Sequence, residues 1–195
     1  MPNIAIFASG AGSNAREIIR RFRTHPDIKV KLIACHKPGA GAIGVAREGG
    51  IPCLMIEKEE FFRGSAYMPE LTAMEIHLIV LAGFLWKIPP ALVSAFPRQI
   101  INIHPALLPA YGGKGMYGRH VHESVLENGD KQSGITIHYV DNQYDHGETI
   151  FQASCEVAAD DSPESLAARI HQLEHQHYPR VIEELLSREQ QRISR

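Results

Sequence analysis

The sequence predicts an α/β fold: a mostly parallel, doubly wound sheet with an N-terminal Rossmann-like, mononucleotide-binding half and a C-terminal antiparallel addition. Three observations support this fold class. Short apolar runs alternate with segments of helical periodicity through residues 3–103, which is the pattern of βαβ units. A glycine-rich turn joins the first apolar run to the first helical segment. Later in the chain, two strand-like runs at 134–140 and 149–157 flank a short turn, as expected for an antiparallel pair.

Five strands are expected in the first half, and their apolar character indicates burial on both faces of a sheet. They are predicted at residues 3–8, 28–35, 52–56, 77–82 and 99–103. Helices are predicted between them at 14–23, 42–48 and 65–75, with a short one from Pro89 to Phe96. Proline suits the first turn of that short helix because its missing N–H would be unsatisfied there anyway.

The second half of the chain follows a different pattern. Residues 104–118 are rich in proline and glycine, and a loop of that length is usually functional or mobile. A helix is predicted at 119–127, followed by the two strands. The run from Asp160 to Pro163 caps a final helix that is expected to end near Leu186. We expect one domain over residues 1–195, with a frayed polar tail at 188–195.

Composition argues against several classes of protein. The 195 residues carry a formal net charge of −2, whereas a dedicated duplex-DNA binder is usually strongly basic. No apolar run reaches the roughly 20 residues of a membrane span, and the N-terminus lacks the features of a signal peptide. The three cysteines share no C-x-x-C spacing. We therefore expect a cytoplasmic protein with small-molecule partners, without nucleic-acid or membrane partners and of undetermined oligomeric state.

The first strand ends in a glycine-rich turn that leads into a helix. Backbone N–H groups and the positive end of the helix dipole meet at Gly12, Ser13 and Asn14, which favours a bound phosphate. A dinucleotide would need an acidic residue after the second strand, where the chain has Cys35-His36-Lys37. A single phosphate is therefore favoured over a dinucleotide. The alternative is a tight turn with a Ser or Asn helix cap.

A second polar group of residues stands at the end of the fifth strand. Asn102 and His104 are two residues apart, so both side chains point to the same side of the sheet. The carboxyl edge of a parallel sheet is where such folds bind ligands. A carboxamide can stabilise an oxyanion and an imidazole can carry a proton, so the pair predicts a catalytic site. Asp145 lies in a later turn; if it reached an imidazole, it would raise that group's pKa.

Six short motifs occur in a fixed order between Asn3 and about Leu186. They are GAGSN (10–14), VLAGF (80–84), NIHPALLP (102–109), ENGD (127–130), Asp-x-Gly (145–147) and EHQHYP (174–179). Together they resemble the phosphoribosylglycinamide formyltransferases of purine biosynthesis. The resemblance implies formyl transfer from 10-formyltetrahydrofolate, as co-substrate, to the amine of phosphoribosylglycinamide in IMP biosynthesis, through a tetrahedral intermediate and without a metal.

The resemblance also implies roles for individual residues. Asn102, His104 and Asp145 match the catalytic trio, and Gly12, Ser13 and Asn14 match the substrate phosphate site. Glu174 matches the residue that holds the glycinamide end of the substrate. The folate pocket is matched by Phe84, Leu85, Trp86, Lys87, Ile88 and Asn102.

The chain departs from the family pattern at several positions near these motifs. Leu85-Trp86-Lys87 stands where relatives often have Met-Arg-Ile, which leaves individual folate contacts open. Lys114 could replace a lysine missing after LLP, and Arg63 lies one position from a folate-contacting arginine of relatives. His146 could perturb the pKa of Asp145 or face solvent. His120, His122 and His138 are candidates to line the site.

Three other interpretations remain open from the sequence. His171-Gln-Leu-Glu174-His175 spells the inverted zinc-peptidase pattern, although a third ligand is not evident and a polar helix face is favoured. A phosphate-binding module without catalysis would leave Asn102, His104 and Asp145 without a role. A deformylase would transfer the formyl group to water.

Overall fold

The computed structural model describes the backbone of residues 1–193 and the side chains of residues 1–188. The strands are β1 (Asn3–Phe7), β2 (Lys29–Cys35), β3 (Cys53–Met55), β4 (Ile76–Leu81), β5 (Ile100–His104), β6 (Gln132–Tyr139) and β7 (Thr149–Glu156). The helices are α1 (Ser13–Phe22), α2 (Gly41–Gly49), α3 (Lys58–Arg63), α4 (Met68–Ala73), α5 (Pro90–Ala95), α6 (Arg119–Glu127) and α7 (Pro163–Ile193). None of the described helices combines the length and the apolarity that a membrane crossing requires.

All seven strands form one sheet in the order β3-β2-β1-β4-β5-β6-β7. The first five strands are parallel, and β6 and β7 are antiparallel to their neighbours. This arrangement confirms the predicted fold class. The chain runs outward from β1 to β3 and then returns to place β4 on the other side of β1. The strand order therefore reverses between β1 and β4, and open α/β sheets bind ligands at such a switch point.

The sheet buries apolar side chains on both faces. Ile4 and Ile6 of β1 pack in a cluster with residues of α1, α2, α6 and α7, whereas Ala5 and Phe7 join a second cluster with α3, α4 and α5. This alternation follows from the two-residue period of a strand. It explains why β1 is apolar from Ile4 to Phe7, and the parallel pairing of β1 with β4 places their carboxyl ends side by side.

Two predicted helices differ from the structure. The helix expected at 65–75 is shorter in the structure, where α4 spans Met68–Ala73, and a further helix that was not predicted, α3, ends just before Gly64 (φ +86°). A Cβ at Gly64 would lie 2.8 Å from the Cβ of Ala91, so close packing favours glycine and the break. The final helix continues past Leu186 to Ile193, because no glycine or proline follows Pro179 to end it. Residues 194–195 and the side chains from 189 onward lie outside the described residues, so the frayed tail stays a prediction.

Candidate active site

The carboxyl ends of β1, β4 and β5 open into a cleft of about 750 Å³. All residues to which the sequence analysis assigned a catalytic, phosphate-binding, glycinamide-binding or folate-binding role line this cleft. They are Gly12, Ser13, Asn14, Phe84, Leu85, Trp86, Lys87, Ile88, Asn102, His104, Asp145 and Glu174. The fold thus brings residues from five separate stretches of the chain onto one surface, while their individual roles stay predictions.

Asn102 lies on β5 directly opposite His138 of β6. His138 Nδ1 lies 2.8 Å from the Tyr139 carbonyl oxygen, which can only accept, so Nδ1 carries the ring proton. In the neutral ring Nε2 is then an acceptor, and it receives a hydrogen bond of 3.2 Å from Asn102 Nδ2. The same amide nitrogen is 3.4 Å from Asp145 Oδ1. These contacts orient the Asn102 carboxamide with its nitrogen towards His138 and Asp145.

The His104 imidazole is held by the long loop that follows it. Its Nε2 donates to the Tyr111 carbonyl oxygen at 2.7 Å, and its Nδ1 lies 3.6 Å from Asp145 Oδ2. Tyr111 adopts a positive φ of 55°, which places its carbonyl oxygen against the ring. Because Tyr111 engages Nε2, Nδ1 is the ring nitrogen available for proton transfer.

Asp145 reaches the two histidines from the turn between β6 and β7, where it has a φ of +52°. Its Oδ2 accepts a hydrogen bond of 3.0 Å from the Gly113 N–H, and its Oδ1 lies 3.6 Å from His138 Nε2. Burial raises the pKa of Asp145, but His138 and His104, in their protonated forms, and the Gly113 hydrogen bond outweigh burial, so the pKa lies below its ordinary value. Asp145 is therefore charged at neutral pH.

The net shift at His104 differs from the expectation of the sequence. Burial lowers the pKa of His104, and His138 lowers it further, whereas Asp145 and the Tyr111 hydrogen bond raise it. Burial prevails, so the pKa lies below the ordinary value of 6.5. Asp145 thus raises the pKa of His104, as expected of a carboxylate that reaches an imidazole, but burial outweighs this contribution. The resting imidazole is mostly neutral, and a proton that it gains goes to Nδ1, beside the carboxylate.

The turn after β1 presents free donors to the cleft. Gly12 is the N-cap of α1 with φ +80°, and a Cβ there would lie 2.9 Å from the Cα of Ala42. Among the described residues no side chain caps α1, so the alternative of a Ser or Asn cap is wrong. The N–H groups of Ser13 and Asn14, in the first turn of α1, therefore have no side-chain acceptor and are available to bind an anion.

Glu174 of α7 closes the same end of the cleft. Asn14 Nδ2 donates to Glu174 Oε2 at 2.9 Å, while the buried Asn14 Oδ1 has no hydrogen-bond partner within the described residues. Burial raises the pKa of Glu174, and the Asn14 hydrogen bond and His171 oppose that shift only in part. Asn14 and Glu174 therefore lie beside the phosphate turn with oxygen atoms that can still accept hydrogen bonds.

Aromatic side chains support the segment predicted for folate. Phe84 and Ile88 are buried, while half of Leu85 is exposed. Trp86 stacks on His36, with ring centroids 3.9 Å apart, and His36 Nδ1 lies 2.6 Å from Ser9 Oγ. In the sequence analysis His36 was noted only because it stands where a dinucleotide site would need an acidic residue. No local sequence pattern predicted its contact with Trp86.

The remaining candidates are divided between the cleft and the surface. Lys114, His122 and His138 line the cleft. Arg63 is not among the lining residues and pairs with Glu60, and exposed His120 lies 3.5 Å from Glu123. His146 is exposed and pairs with Asp141 at 2.9 Å. The sequence missed Tyr111 and Gly113 as contacts of the trio, because both act through backbone atoms.

The histidines of α7 do not assemble into a larger ligand set. The rings of His171 and His175 stack with centroids 6.2 Å apart. Glu174, which lies between them in sequence, accepts a hydrogen bond from Asn14. Within the part of the chain that the structure describes, no group of three or more His, Cys, Asp or Glu side chains could hold a metal ion.

Comparisons with known proteins identify relatives of this chain. The chain is similar to the chloroplastic phosphoribosylglycinamide formyltransferase of Arabidopsis thaliana, with 42% identity over 92% of this chain and 63% of that protein. It thus spans somewhat less than two thirds of that plant relative. It is 38% identical to the phosphoribosylglycinamide formyltransferase of Bacillus subtilis, covering 95% of each chain.

A solved structure and a family model give the same result. The crystal structure of phosphoribosylglycinamide formyltransferase from Bacillus halodurans superposes with a TM-score of 0.86 at 34% identity, covering 95% of both chains. The family model described as formyl transferase matches residues 2–182. These findings confirm the resemblance seen in the motifs, and the chain belongs to the formyl transferase family.

Proposed function

We propose that this chain is a phosphoribosylglycinamide formyltransferase that transfers the formyl group of 10-formyltetrahydrofolate to the amine of phosphoribosylglycinamide in de novo purine biosynthesis. The observation that carries the proposal is the contact of Asn102, His104 and Asp145 on one wall of a cleft whose far end is an uncapped helix N-terminus. Such a cleft can hold a phosphorylated acceptor and stabilise an acyl-transfer transition state at once. The names of the relatives support this choice of substrate.

The acceptor is proposed to bind with its phosphate at Gly12, Ser13 and Asn14. The N–H groups there and the α1 dipole attract the dianion. Glu174 and the free Asn14 Oδ1 lie next to that turn and can accept hydrogen bonds from the neutral part of the acceptor. The amine is then directed along the cleft towards β5.

The reaction makes a bond between the acceptor nitrogen and the formyl carbon and breaks the bond from that carbon to the folate nitrogen. Negative charge develops on the formyl oxygen as the amine attacks. The donors that stabilise this charge are protonated His104 Nδ1 and Asn102 Nδ2, which exchanges its long 3.4 Å contact with Asp145 Oδ1 for the formyl oxygen. Asp145 stabilises the imidazolium, and the proton lost by the amine ends on the folate nitrogen.

The donor is proposed to lie against residues 84–88. This segment borders the trio and combines buried Phe84 and Ile88 with the stacked Trp86. Apolar and aromatic walls with a few polar groups suit a flat heterocycle such as a folate. Lys87, which lies 5.9 Å from the Tyr144 ring, and exposed Lys114 are cations that can meet the carboxylates of the folate tail.

The test is the release of tetrahydrofolate, followed by absorbance with and without phosphoribosylglycinamide. We expect release to depend on the acceptor, and His104→Asn to lower the rate about 10²- to 10⁴-fold, the usual contribution of a general acid. His146→Asn is the matched control, because His146 is an exposed histidine that pairs with Asp141. Equal release without acceptor would instead identify a deformylase, and full activity of His104→Asn would remove the assigned role.

We also propose that the protein is cytoplasmic, that residues 1–195 act as one domain, and that it has no nucleic-acid partner. These proposals follow from the composition and from the small-molecule chemistry assigned to the cleft.

A further inference from the structure

His122 is a buried histidine that the proposed mechanism does not use. It lies on α6, only 3% of its surface is exposed, and its side chain lines the cleft. Its Nδ1 is buried and has no hydrogen-bond partner among the described residues. Buried polar atoms are nearly always paired, so an unpaired ring nitrogen at a ligand cleft indicates a missing partner.

The position of His122 connects the two ends of the cleft. Helix α6 packs on α7, and His122 lies near His171 of α7 and His104 of β5. His171 is one helical turn before Glu174, which is bonded to Asn14 of the phosphate turn. His122 therefore belongs to the wall that runs from the phosphate turn to the catalytic histidine.

The charges of the cleft show what this wall lacks. Of the described lining residues, only Lys87 and Lys114 are permanently cationic, and Lys87 lies over the Tyr144 ring. The carboxylates that line the cleft are Asp141, Asp145 and Glu174. For a phosphate dianion at the Gly12 turn, the nearby side chains that can supply positive charge are therefore imidazoles.

The groups that face His122 keep it neutral before a ligand binds. Burial lowers its pKa, and His171 and His104 lower it further. The acidic neighbour on its own helix, Glu123, is engaged by Arg119 at 2.5 Å and lies 3.5 Å from His120. No group among the described residues bonds to His122 Nδ1, so this nitrogen is free to carry a proton and to donate it to a ligand.

We propose that His122 is a further substrate ligand, which donates a ring N–H to the phosphate group and takes up one proton from solvent when the dianion binds. This inference rests on the phosphate site of the proposed function. An opposite charge within about 4–6 Å favours the charged form of an imidazole, so the ligand itself reverses the effect of burial. No covalent bond changes, and the proton returns to solvent when the phosphate leaves.

Binding of ribose 5-phosphate, measured by calorimetry at pH 7.5 in two buffers of different ionisation enthalpy, tests the inference. This measurement needs no formyl donor, so it is independent of whether formyl transfer is observed. The wild-type protein is expected to take up a substantial fraction of a proton per ligand. His122→Asn keeps an N–H donor but cannot be charged, and it is expected to lose this uptake and to bind about 10- to 100-fold more weakly.

His120→Asn is the matched control, because this exposed histidine lies on the same helix two residues away. It should keep the affinity and the proton uptake of the wild type. With phosphoribosylglycinamide as substrate, His122→Asn should raise KM far more than it lowers kcat. Thermal denaturation identifies any variant that fails to fold, and His122→Gln then replaces it. Wild-type affinity and proton uptake in a folded His122 variant would overturn the inference.

Discussion

The ion pair between His104 and Asp145 can be tested by replacing Asp145 with Asn, which removes the charge and keeps the size. Asp145 Oδ2 lies 3.6 Å from His104 Nδ1. At an effective dielectric constant of about 20, two unit charges some 4 Å apart attract by about 4 kcal/mol. This is the order of magnitude that Asp145 contributes to the stability of a protonated His104. Since about 1.4 kcal/mol corresponds to a factor of ten in rate, we expect Asp145→Asn to lower kcat/KM by up to about 10³-fold.

The assay is a double-mutant cycle on formyl transfer with Asp145→Asn, His104→Asn and the double variant. Because both residues act on one proton, the double variant should be little worse than the more damaged single variant. Asp145 raises the pKa of His104, so that pKa should fall further in Asp145→Asn. Activity that needs protonated His104 is lost as pH rises through this pKa, so the alkaline limb of the pH–rate profile should move to lower pH.

Two results would refute this reasoning. If the two single losses multiply in the double variant, the residues act independently. If Asp145→Asn leaves the alkaline limb in place, the carboxylate does not act through His104. Glu148→Gln is the control, since this exposed carboxylate near Asp145 pairs with Arg98 and should leave the rate nearly unchanged.

Three further predictions concern fluorescence and stability. The fluorescence of Trp86, the single tryptophan, should be quenched when acid protonates the His36 ring that stacks on it. Burial and the charge of Lys37 hold the pKa of His36 below its ordinary value, and His36→Asn should abolish the transition. Hydrogen bonds from Arg169 hold the pKa of Asp161 well below its ordinary value. The free energy of unfolding, measured by urea denaturation, should therefore fall as pH drops below ~4, and it should fall less in Asp161→Asn. The buried Tyr178 hydroxyl shares its one proton between two strand carbonyl oxygens, at 2.9 and 3.3 Å, so Tyr178→Phe should lower the free energy of unfolding by about 1–3 kcal/mol in urea.

Each of these predictions has a control. A quenching transition that persists in His36→Asn would show that another group quenches Trp86. Asp160→Asn, next to Asp161 and exposed, should keep the wild-type dependence of stability on pH. Tyr117→Phe, in which the lost hydroxyl comes from a half-exposed residue, should leave the free energy of unfolding within about 0.5 kcal/mol. A Tyr178→Phe protein as stable as wild type would mean that its two hydrogen bonds contribute nothing net.

Local periodicity was enough to predict the sheet and the main chemical groups of the site. The apolar run of β1 indicated a strand buried on both faces, and the two-residue spacing of Asn102 and His104 placed both side chains at one edge of the sheet. The turn after β1 indicated a helix N-terminus open to an anion. These features depend on neighbours within a few residues, which the sequence displays directly.

Only the tertiary structure decided which distant groups meet and which of them prevail. Asp145 reaches His104 because β6 pairs with β5 and the next turn folds back over the cleft. The carbonyl of Tyr111 and the burial of His104 then set the direction of its pKa, against the expectation from the carboxylate alone. Burial, backbone contacts and the charge around a group are sums over residues far apart in the chain, so a local pattern does not contain them.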